Sequence, residues 1–234
     1  MSNEILLILE LVVIYSILLA WFYFFDQKGM LCFTVFATIC ANIEVMLVIN
    51  AFSIEQTLGN AMFGASFLAT DMLSEFYGKK NSRQAVFAGL LTTISFVVCS
   101  KIWLMYDLAY DDGLKDSFSL IFSNTTRIMI ASIIVYAISQ MLDVFVYHKW
   151  WEFTEKLTGD KRKLLWVRNN GSTLISQLVN SFLFAVFAFY GVLPNDVVWS
   201  IFISSYIVFI VVSLLDTPFI YLARHIHETK HKSN

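Results

Sequence analysis

The sequence predicts an all-α membrane protein, a polytopic bundle of about seven transmembrane helices in a single domain over residues 1–234. Of the 234 residues, 58% are hydrophobic and 15% are charged. Soluble globular domains carry about 25% charged and about 45–50% apolar residues. One soluble core of this size cannot bury so much apolar surface. Lipid is therefore expected to cover the outward faces of the helices.

Seven segments approach the length of a spanning helix, which is about 20 mostly apolar residues. They are 5–25, 30–52, 61–77, 84–105, 126–147, 172–193 and 197–222. The segment 61–77 is short and carries two acids, so a tilted, broken or re-entrant element is the alternative there. Only Glu4 precedes the first segment as a charge, and that segment is too long for a signal peptide. We therefore expect it to be a retained helix.

The basic residues predict the orientation, because cytoplasmic loops are enriched in Lys and Arg. With seven spans, thirteen of the 16 Lys and Arg residues fall on one side. The loop 106–125 on the other side carries four Asp residues. We therefore expect a multi-pass protein of the bacterial inner membrane, with its amino terminus outside and its carboxyl terminus in the cytoplasm.

Acidic side chains inside the predicted spans are the most informative residues. They are Glu10, Glu44, Asp71, Glu75, Asp143 and Asp216. A charge near the bilayer centre costs about 2.5–3.5 kcal/mol on insertion scales. No Lys or Arg is expected deep enough to pair with them. Such acids should face an interior cavity, take up protons, or meet a cationic or donor-rich ligand.

Three predicted helices carry polar residues on one face each, at helical spacings of three or four. These are Asp71 with Glu75, Gln140 with Asp143, and Thr173 with Gln177 and Asn180. A rise of about 1.5 Å per residue places Asp71, Asp143, Gln177 and Asn180 in the inner half of the membrane. We expect them to share one cavity. Asn42 adds a polar position on the second helix, and hydrogen bonding between helices is the alternative role for the amides.

Catalytic signatures are absent from the sequence. The four His residues lie in predicted loops or the tail, and no Walker A loop, G-x-S-x-G or zinc pattern occurs. Three Cys residues lie in apolar runs and are expected to be buried. We expect no cofactor, no metal and no enzymatic activity. An intramembrane acid dyad of Asp143 and Asp216 is the alternative to a binding role.

Three motifs occur in order along the chain. The first is Ala69-Thr70-Asp71-Met72-Leu73-Ser74-Glu75-Phe76-Tyr77-Gly78 with its following Lys residues, the second is Gln140-Met141-Leu142-Asp143, and the third begins Trp166-Val167-Arg168-Asn169-Asn170-Gly171-Ser172-Thr173. Together they resemble the queuosine precursor transporter family, over roughly residues 30–222. The resemblance makes segment 5–25 an extra helix before a six-helix core. Asn180 departs from the family pattern, which has Asp there, so the preferred precursor stays open.

The resemblance implies import of 7-deazaguanine bases for the modification of transfer RNA: 7-cyano-7-deazaguanine, 7-aminomethyl-7-deazaguanine or queuine. The ring and exocyclic N–H groups of these bases suit carboxylate acceptors, and amides can serve the remaining groups. The expected substrate-binding residues are Asp71, Asp143, Gln140, Gln177, Asn180, Asn42, Glu75 and Thr173. Arg168, Asn169, Asn170 and Ser172 lie where the sixth helix is expected to begin, and could gate the cavity.

The expected partners are the substrate and the lipid bilayer, with no direct contact to nucleic acid. A homo-oligomer and an ATPase module remain open. If such a module exists, the chain is the substrate-binding subunit of an energy-coupling vitamin transporter. A structural or assembly factor is a further alternative, and it would bind no nucleobase.

Overall fold

The computed structural model describes residues 2–45, 47–52, 54–109, 113–122, 126–160 and 162–232. Its elements are α1 (Asn3–Glu44), β1 (Val48–Ala51), β2 (Ile54–Thr57), α2 (Gly59–Tyr77), α3 (Lys79–Trp103), α4 (Leu114–Phe122), α5 (Thr126–Thr158), α6 (Leu165–Phe189) and α7 (Asn195–Lys232). In the described part of the chain, five helices are long and apolar enough to cross a membrane: α1, α3, α5, α6 and α7. The predicted all-α membrane bundle is confirmed.

Helix α1 folds back on itself and contains the first two predicted spans. Its backbone leaves helical geometry at Asp26, where φ is 56° and ψ is −134°. The Trp21 ring stacks on Phe36 at 6.1 Å between centroids, although a straight helix would separate them by about 22 Å. A Cβ at Gly29 would collide with the Trp21 carbonyl oxygen. The two halves are thus antiparallel, and glycine permits their close approach at the turn.

A two-stranded antiparallel sheet occupies the end of the bundle where the predicted helix 30–52 was expected to finish. That helix ends at Glu44, and Val48 pairs with Thr57 in the sheet. The segment 48–57 contains β-branched residues at Val48, Ile49, Ile54 and Thr57, which favour extended backbone. The side chain of Asn3 donates a hydrogen bond to the Asn50 carbonyl oxygen at 2.9 Å. The sheet is therefore tied to the start of α1.

Helix α2 lies inside the bundle, in contact with α1, α3, α5, α6 and α7. Every residue from Gly64 to Ser74 is buried. Its 19 residues measure about 28 Å along the axis, close to the thickness of the hydrocarbon core. Other helices cover this helix, so it can carry polar residues without exposing them to lipid.

The helices at the basic end are longer than the sequence predicted. The expected loop 78–83 reduces to Gly78, whose φ of 80° separates α2 from α3. Helix α5 continues to Thr158, α6 already begins at Leu165, and α7 continues to Lys232. Charged side chains therefore project from helical turns at the membrane boundary, where hydropathy alone indicates a loop.

Two further expectations need correction or limits. Cys32 and Cys99 lie on the outward surface, and only Cys40 is partly buried; all three are free thiols. They face outward because the neighbouring medium of a membrane helix is itself apolar. The acidic loop contains the short helix α4, while residues 110–112 lie outside the described residues. Lys161 of the expected inner basic run also lies outside them.

Candidate functional site

An ion-pair cluster closes the basic end of the bundle. Arg168 donates to both carboxylate oxygens of Glu75, at 2.8 Å from Nε and 2.5 Å from Nη2. Arg224 donates to the same carboxylate, and Tyr147 donates to it at 2.7 Å. The Arg168 side chain is fully buried and lies over the Trp151 ring at 4.8 Å. These residues join α2, α5, α6 and α7, and we call them the inner ion cluster.

The inner ion cluster corrects the expectation that no basic residue reaches the acids in the spans. Arg168 was placed before the sixth helix and Arg224 after the seventh, but both lie within helices that run longer than expected. The Glu75 side chain is only 5% exposed and has two cationic partners. Glu75 therefore lies apart from the other predicted substrate-binding residues, with its carboxylate fully engaged.

The next layer toward the opposite end contains a pair of carboxyl groups. Asp71 and Asp143 are fully buried, and their side chains lie within hydrogen-bonding reach of each other. Thr173 donates to Asp71 Oδ2 at 3.3 Å, and Ser176 donates to Asp143 Oδ1 at 2.8 Å. Among the residues that the structure describes, none donates a hydrogen bond to Asp71 Oδ1 or Asp143 Oδ2. The pair can therefore accept a proton or the N–H groups of a ligand.

The residues expected to gate the cavity are buried between α6 and α7. Asn169 donates to Asp216 Oδ1 at 2.7 Å. Asn170 donates to Thr217 at 2.7 Å and accepts a hydrogen bond from Ser213 at 3.1 Å. Ser172 is also buried, and its hydroxyl lies beside Asp143. These contacts make Asp216 part of the α6–α7 packing and place it next to the acid pair.

Amide side chains form a third layer. Gln140 accepts from Thr70 at 3.2 Å and donates to Ser66 at 2.9 Å, which links α5 to α2. Asn180 accepts from Ser139 at 3.3 Å, which links α6 to α5. Gln177 is buried, and no described residue forms a hydrogen bond with its side-chain oxygen or nitrogen. Its amide is therefore available to a ligand that enters this layer.

A cavity of about 120 Å³ lies above the amide layer, toward the β1–β2 sheet. We call it the outer cavity. Of the predicted substrate-binding residues, only Asn42 and Asn180 line it. The other polar and aromatic lining residues are not among those predicted from the sequence. They include Asn60, Phe63, Ser66, Tyr136, Phe184 and Phe209. Tyr136 could have been found, because Tyr136, Gln140 and Asp143 follow one face of α5 at i, i+4 and i+7.

The structure thus divides the predicted site into layers. It brings Asp71, Asp143 and Thr173 together, with Gln140 and Gln177 in the adjoining layer. It separates Glu75 from them at one end and Asn42 at the other. Among the described residues, no group of three or more His, Cys, Asp or Glu side chains is arranged to hold a metal ion. The polar layers offer hydrogen bonds and acid–base groups along the axis of the bundle.

Comparison with known proteins identifies the family. A family model described as "Putative vitamin uptake transporter" matches residues 57–223. A "Probable queuosine precursor transporter" of Bacillus subtilis (strain 168) is 35% identical over 224 residues, 96% of each chain. The chain belongs to the queuosine precursor transporter family. Its relatives bear the names of transporters, in agreement with the predicted multi-pass membrane protein.

Two further members of the queuosine precursor transporter family match shorter parts of the chain. A "Probable queuosine precursor transporter" of Haemophilus influenzae (strain ATCC 51907 / DSM 11121 / KW20 / Rd) is 27% identical over 60% of this chain and 55% of its own. The "Queuosine precursor transporter" of Escherichia coli (strain K12) is 28% identical over 64% of this chain and 62% of its own. No solved structure matches the chain significantly. The family model leaves out α1, whereas the match to the Bacillus subtilis relative covers almost the whole chain.

Proposed function

We propose that this protein imports 7-deazaguanine queuosine precursors across the bacterial inner membrane, and that the acid pair Asp71–Asp143 binds the base. The observation that carries the proposal is the pair of buried carboxyl oxygens without a protein donor, at the centre of a transporter bundle. The guanine-like edge of these bases presents ring and exocyclic N–H donors. A carboxylate accepts two such donors at once, and charge-assisted hydrogen bonds are about twice as strong as neutral ones.

The neighbouring amides supply the other half of the recognition. A base of this kind also carries a carbonyl oxygen, which needs a donor when it leaves water. The Gln177 Nε2 atom is such a donor. Neither Nε2 nor Oε1 of Gln177 has a hydrogen-bond partner among the described residues. Thr173 lies beside the acid pair through its bond to Asp71. The acid and amide layers therefore complement a planar heterocycle that has donors on one side and an acceptor next to them.

The charges at the two ends of the bundle support a proposed orientation in the membrane. Residues of the predicted cytoplasmic side come together: Arg224 contacts the Arg162 carbonyl oxygen and Glu75, and Tyr77 contacts Asp26. An excess of Lys and Arg marks the cytoplasmic end of a membrane bundle. We therefore propose that the inner ion cluster faces the cytoplasm and the β1–β2 sheet faces the exterior.

Orientation can be tested by cysteine labelling at positions 3, 113 and 232, after the native thiols are removed. A membrane-impermeant reagent applied to intact cells should label positions 3 and 113 but not position 232. Lysed cells serve as the control, in which all three positions should react. Labelling of position 232 in intact cells would show that the proposed orientation is inverted.

Function is tested by uptake into cells that cannot synthesise 7-deazaguanines. Cells that express the protein should regain queuosine in their transfer RNA when 7-cyano-7-deazaguanine, 7-aminomethyl-7-deazaguanine or queuine is supplied. A thermal-shift panel on the purified protein should show stabilisation by one of these bases and not by adenine or guanine, because specific ligands stabilise the folded state by mass action. Uptake without the protein, or no response to any of these bases, would refute the proposal.

A further inference from the structure

The outer cavity has a lining that differs in kind from the acid layer below it. It is formed by α1, α2, α3, α5, α6 and α7 together with the end of the β1–β2 sheet. Its residues are Ala37, Thr38, Ala41, Asn42, Val45, Thr57, Gly59, Asn60, Phe63, Ser66, Thr93, Ser132, Val135, Tyr136, Asn180, Phe184 and Phe209. None of these residues carries a charge. The volume of about 120 Å³ is roughly ten times what one water molecule needs, which suits a single small heterocycle.

Aromatic rings form one part of the lining. Phe63 packs edge-on against Tyr136 at 5.8 Å between centroids and lies 6.0 Å from Phe209. Such rings offer flat apolar surface to a planar ligand and bind it in offset or edge-on arrangements. The arrangement favours a bicyclic aromatic molecule over a flexible or spherical one.

Uncharged hydrogen-bonding groups form the other part. The Tyr136 side chain is 5% exposed; its hydroxyl lies near Thr38 but makes no hydrogen bond of normal geometry. The Asn60 Nδ2 atom is also buried, and it has no acceptor in the described part of the chain. Buried polar groups in proteins are nearly always paired, so two open groups in one cavity point to a ligand that pairs them.

The outer cavity and the acid pair are separated by hydrogen-bonded side chains. Ser66 lines the cavity on one side and accepts from Gln140 on the other. Asn180 also lines the cavity and accepts from Ser139. Neither Asp71 nor Asp143 reaches the lining. A molecule in the outer cavity therefore contacts amides, hydroxyls and rings, and meets the carboxyl groups only after this layer has rearranged.

We propose that the outer cavity is a separate, first binding station for the uncharged form of a planar heterocyclic base. This inference rests on the proposed import of 7-deazaguanines and adds a selectivity to it. A cationic substituent would lose much of its hydration in a cavity that offers no counter-charge, and this costs free energy that the uncharged base does not lose. The station therefore prefers 7-cyano-7-deazaguanine to the 7-aminomethyl base, whose amine is protonated near neutral pH. The acid pair below discriminates less against that cation.

The test uses a single reporter thiol in the mouth of the outer cavity. Val45 lines the cavity and is partly exposed, so Val45→Cys is introduced after Cys32, Cys40 and Cys99 are replaced by Ala. Purified protein in lipid nanodiscs is treated with a small maleimide, with and without 7-cyano-7-deazaguanine. Val192→Cys, an exposed position outside the cavity, is the matched control. Uptake by the same thiol-substituted chain is measured in parallel.

Ligand at ten times its dissociation constant should slow labelling of Val45→Cys about ten-fold, and leave Val192→Cys unchanged. The same protection should persist when Asp143→Asn is added, although uptake falls. The 7-aminomethyl base should need at least about ten-fold higher concentration for equal protection.

Three results would overturn the station. Loss of protection with Asp143→Asn would show one shared site, and absence of protection in a chain that still transports would show that the base bypasses the cavity. Equal protection by both bases would remove the selectivity for the uncharged form. Absence of both uptake and protection would instead contradict the proposed import itself, and the station with it.

Discussion

The two ends of this bundle solve the problem of buried polar groups in opposite ways. At the inner end, one carboxylate is bound by two guanidinium groups and a tyrosine hydroxyl, and four helices are joined. At the outer end, neutral amides and hydroxyls surround a cavity, and two of their polar atoms have no partner among the described residues. The bundle is thus tightly packed at the end where charged side chains are paired, and it contains a cavity at the end where the polar side chains are neutral. A transporter that releases substrate inward must reverse this difference.

The largest expected effect comes from removing the carboxylate of the inner ion cluster. Glu75→Gln leaves Arg168 and Arg224 without their counter-charge in a buried site. Loss of one partner of a buried ion pair costs about 3–5 kcal/mol, because the remaining charge is uncompensated. We expect a clear drop in the thermal unfolding midpoint of the purified protein. The Glu75 side chain is only 5% exposed, so water cannot replace the carboxylate as the partner of the two guanidinium groups.

A matched control for this prediction lies on the same end of the molecule. Glu152 pairs with Lys149 at 3.0 Å, and the Glu152 side chain is 61% exposed. Exposed pairs contribute about 0–1 kcal/mol, so Glu152→Gln should hardly change the midpoint. Equal midpoints for the two variants would mean that the inner ion cluster does not hold the helices together.

Arg168→Ala addresses the gating role of the same cluster. The substitution removes two hydrogen bonds to Glu75 and the contact with the Trp151 ring, but it leaves the acid pair intact. We expect the initial rate of uptake to fall more than the affinity for 7-cyano-7-deazaguanine. Binding to purified protein and uptake at matched expression give the two numbers. A wild-type uptake rate at normal protein level would exclude the gating role.

A smaller effect is expected between the two ends, at the acid pair. Asp71→Asn and Asp143→Asn keep the shape of the side chain but replace an acceptor oxygen by a donor. A buried donor of the ligand that loses its acceptor costs about 1–3 kcal/mol. Affinity for 7-cyano-7-deazaguanine at the acid pair should therefore fall roughly 5- to 150-fold for each substitution, while binding in the outer cavity is kept. Isothermal titration at matched fold quality measures this directly.

Stability should survive these substitutions, in contrast to Glu75→Gln. Replacing a membrane-embedded acid by an amide removes an insertion cost. If neither Asn variant loses a binding component or takes up 7-deazaguanines more slowly than the unchanged protein, the acids belong to helix packing or proton coupling and are not the substrate site.

The smallest effect concerns the wall of the outer cavity. A Cβ at Gly89 would overlap the Tyr136 hydroxyl and lie 2.9 Å from its Cζ atom. Gly89→Ala should therefore displace the ring and cost about 1–2 kcal/mol, the lower part of the range for overpacking. In a Tyr136→Phe background this loss of stability should be smaller, because the hydroxyl oxygen that the new Cβ overlaps is absent. A double-mutant cycle on unfolding midpoints measures this coupling, and strict additivity would show that the two residues are not in contact.

Sequence reasoning reached the general position of the candidate site because its physical signals are strong. Helical spacing and depth predict one layer that holds Asp71, Asp143, Gln177 and Asn180. The structure brings Asp71 and Asp143 together, and Asn180 lies farther along, at the outer cavity. A charge in an apolar run is conspicuous, since its insertion cost must be compensated. The membrane fold follows from the same argument, because few chains expose so many apolar residues without lipid.

Other features depend on contacts that no local pattern encodes. Glu75 and Arg224 are 149 residues apart, and their pairing requires helix ends that hydropathy places too early. Phe63 and Tyr136 line a cavity, yet an aromatic residue in a membrane helix looks the same whether it faces lipid or a ligand. The sequence predicts helix at β1, because short apolar runs fit both structures, and it places β2 in the connection between two predicted helices.

The turn at Asp26 has a consequence for how this protein is made. A single non-helical residue joins the two halves of α1, and Gly29 lies against the backbone at Trp21. This short connection keeps the two halves side by side, so one half cannot enter the bilayer far ahead of the other. We therefore expect the two helices to enter the bilayer together, as one helical hairpin. In the proposed orientation, the turn that carries Asp26 and Lys28 lies on the cytoplasmic side.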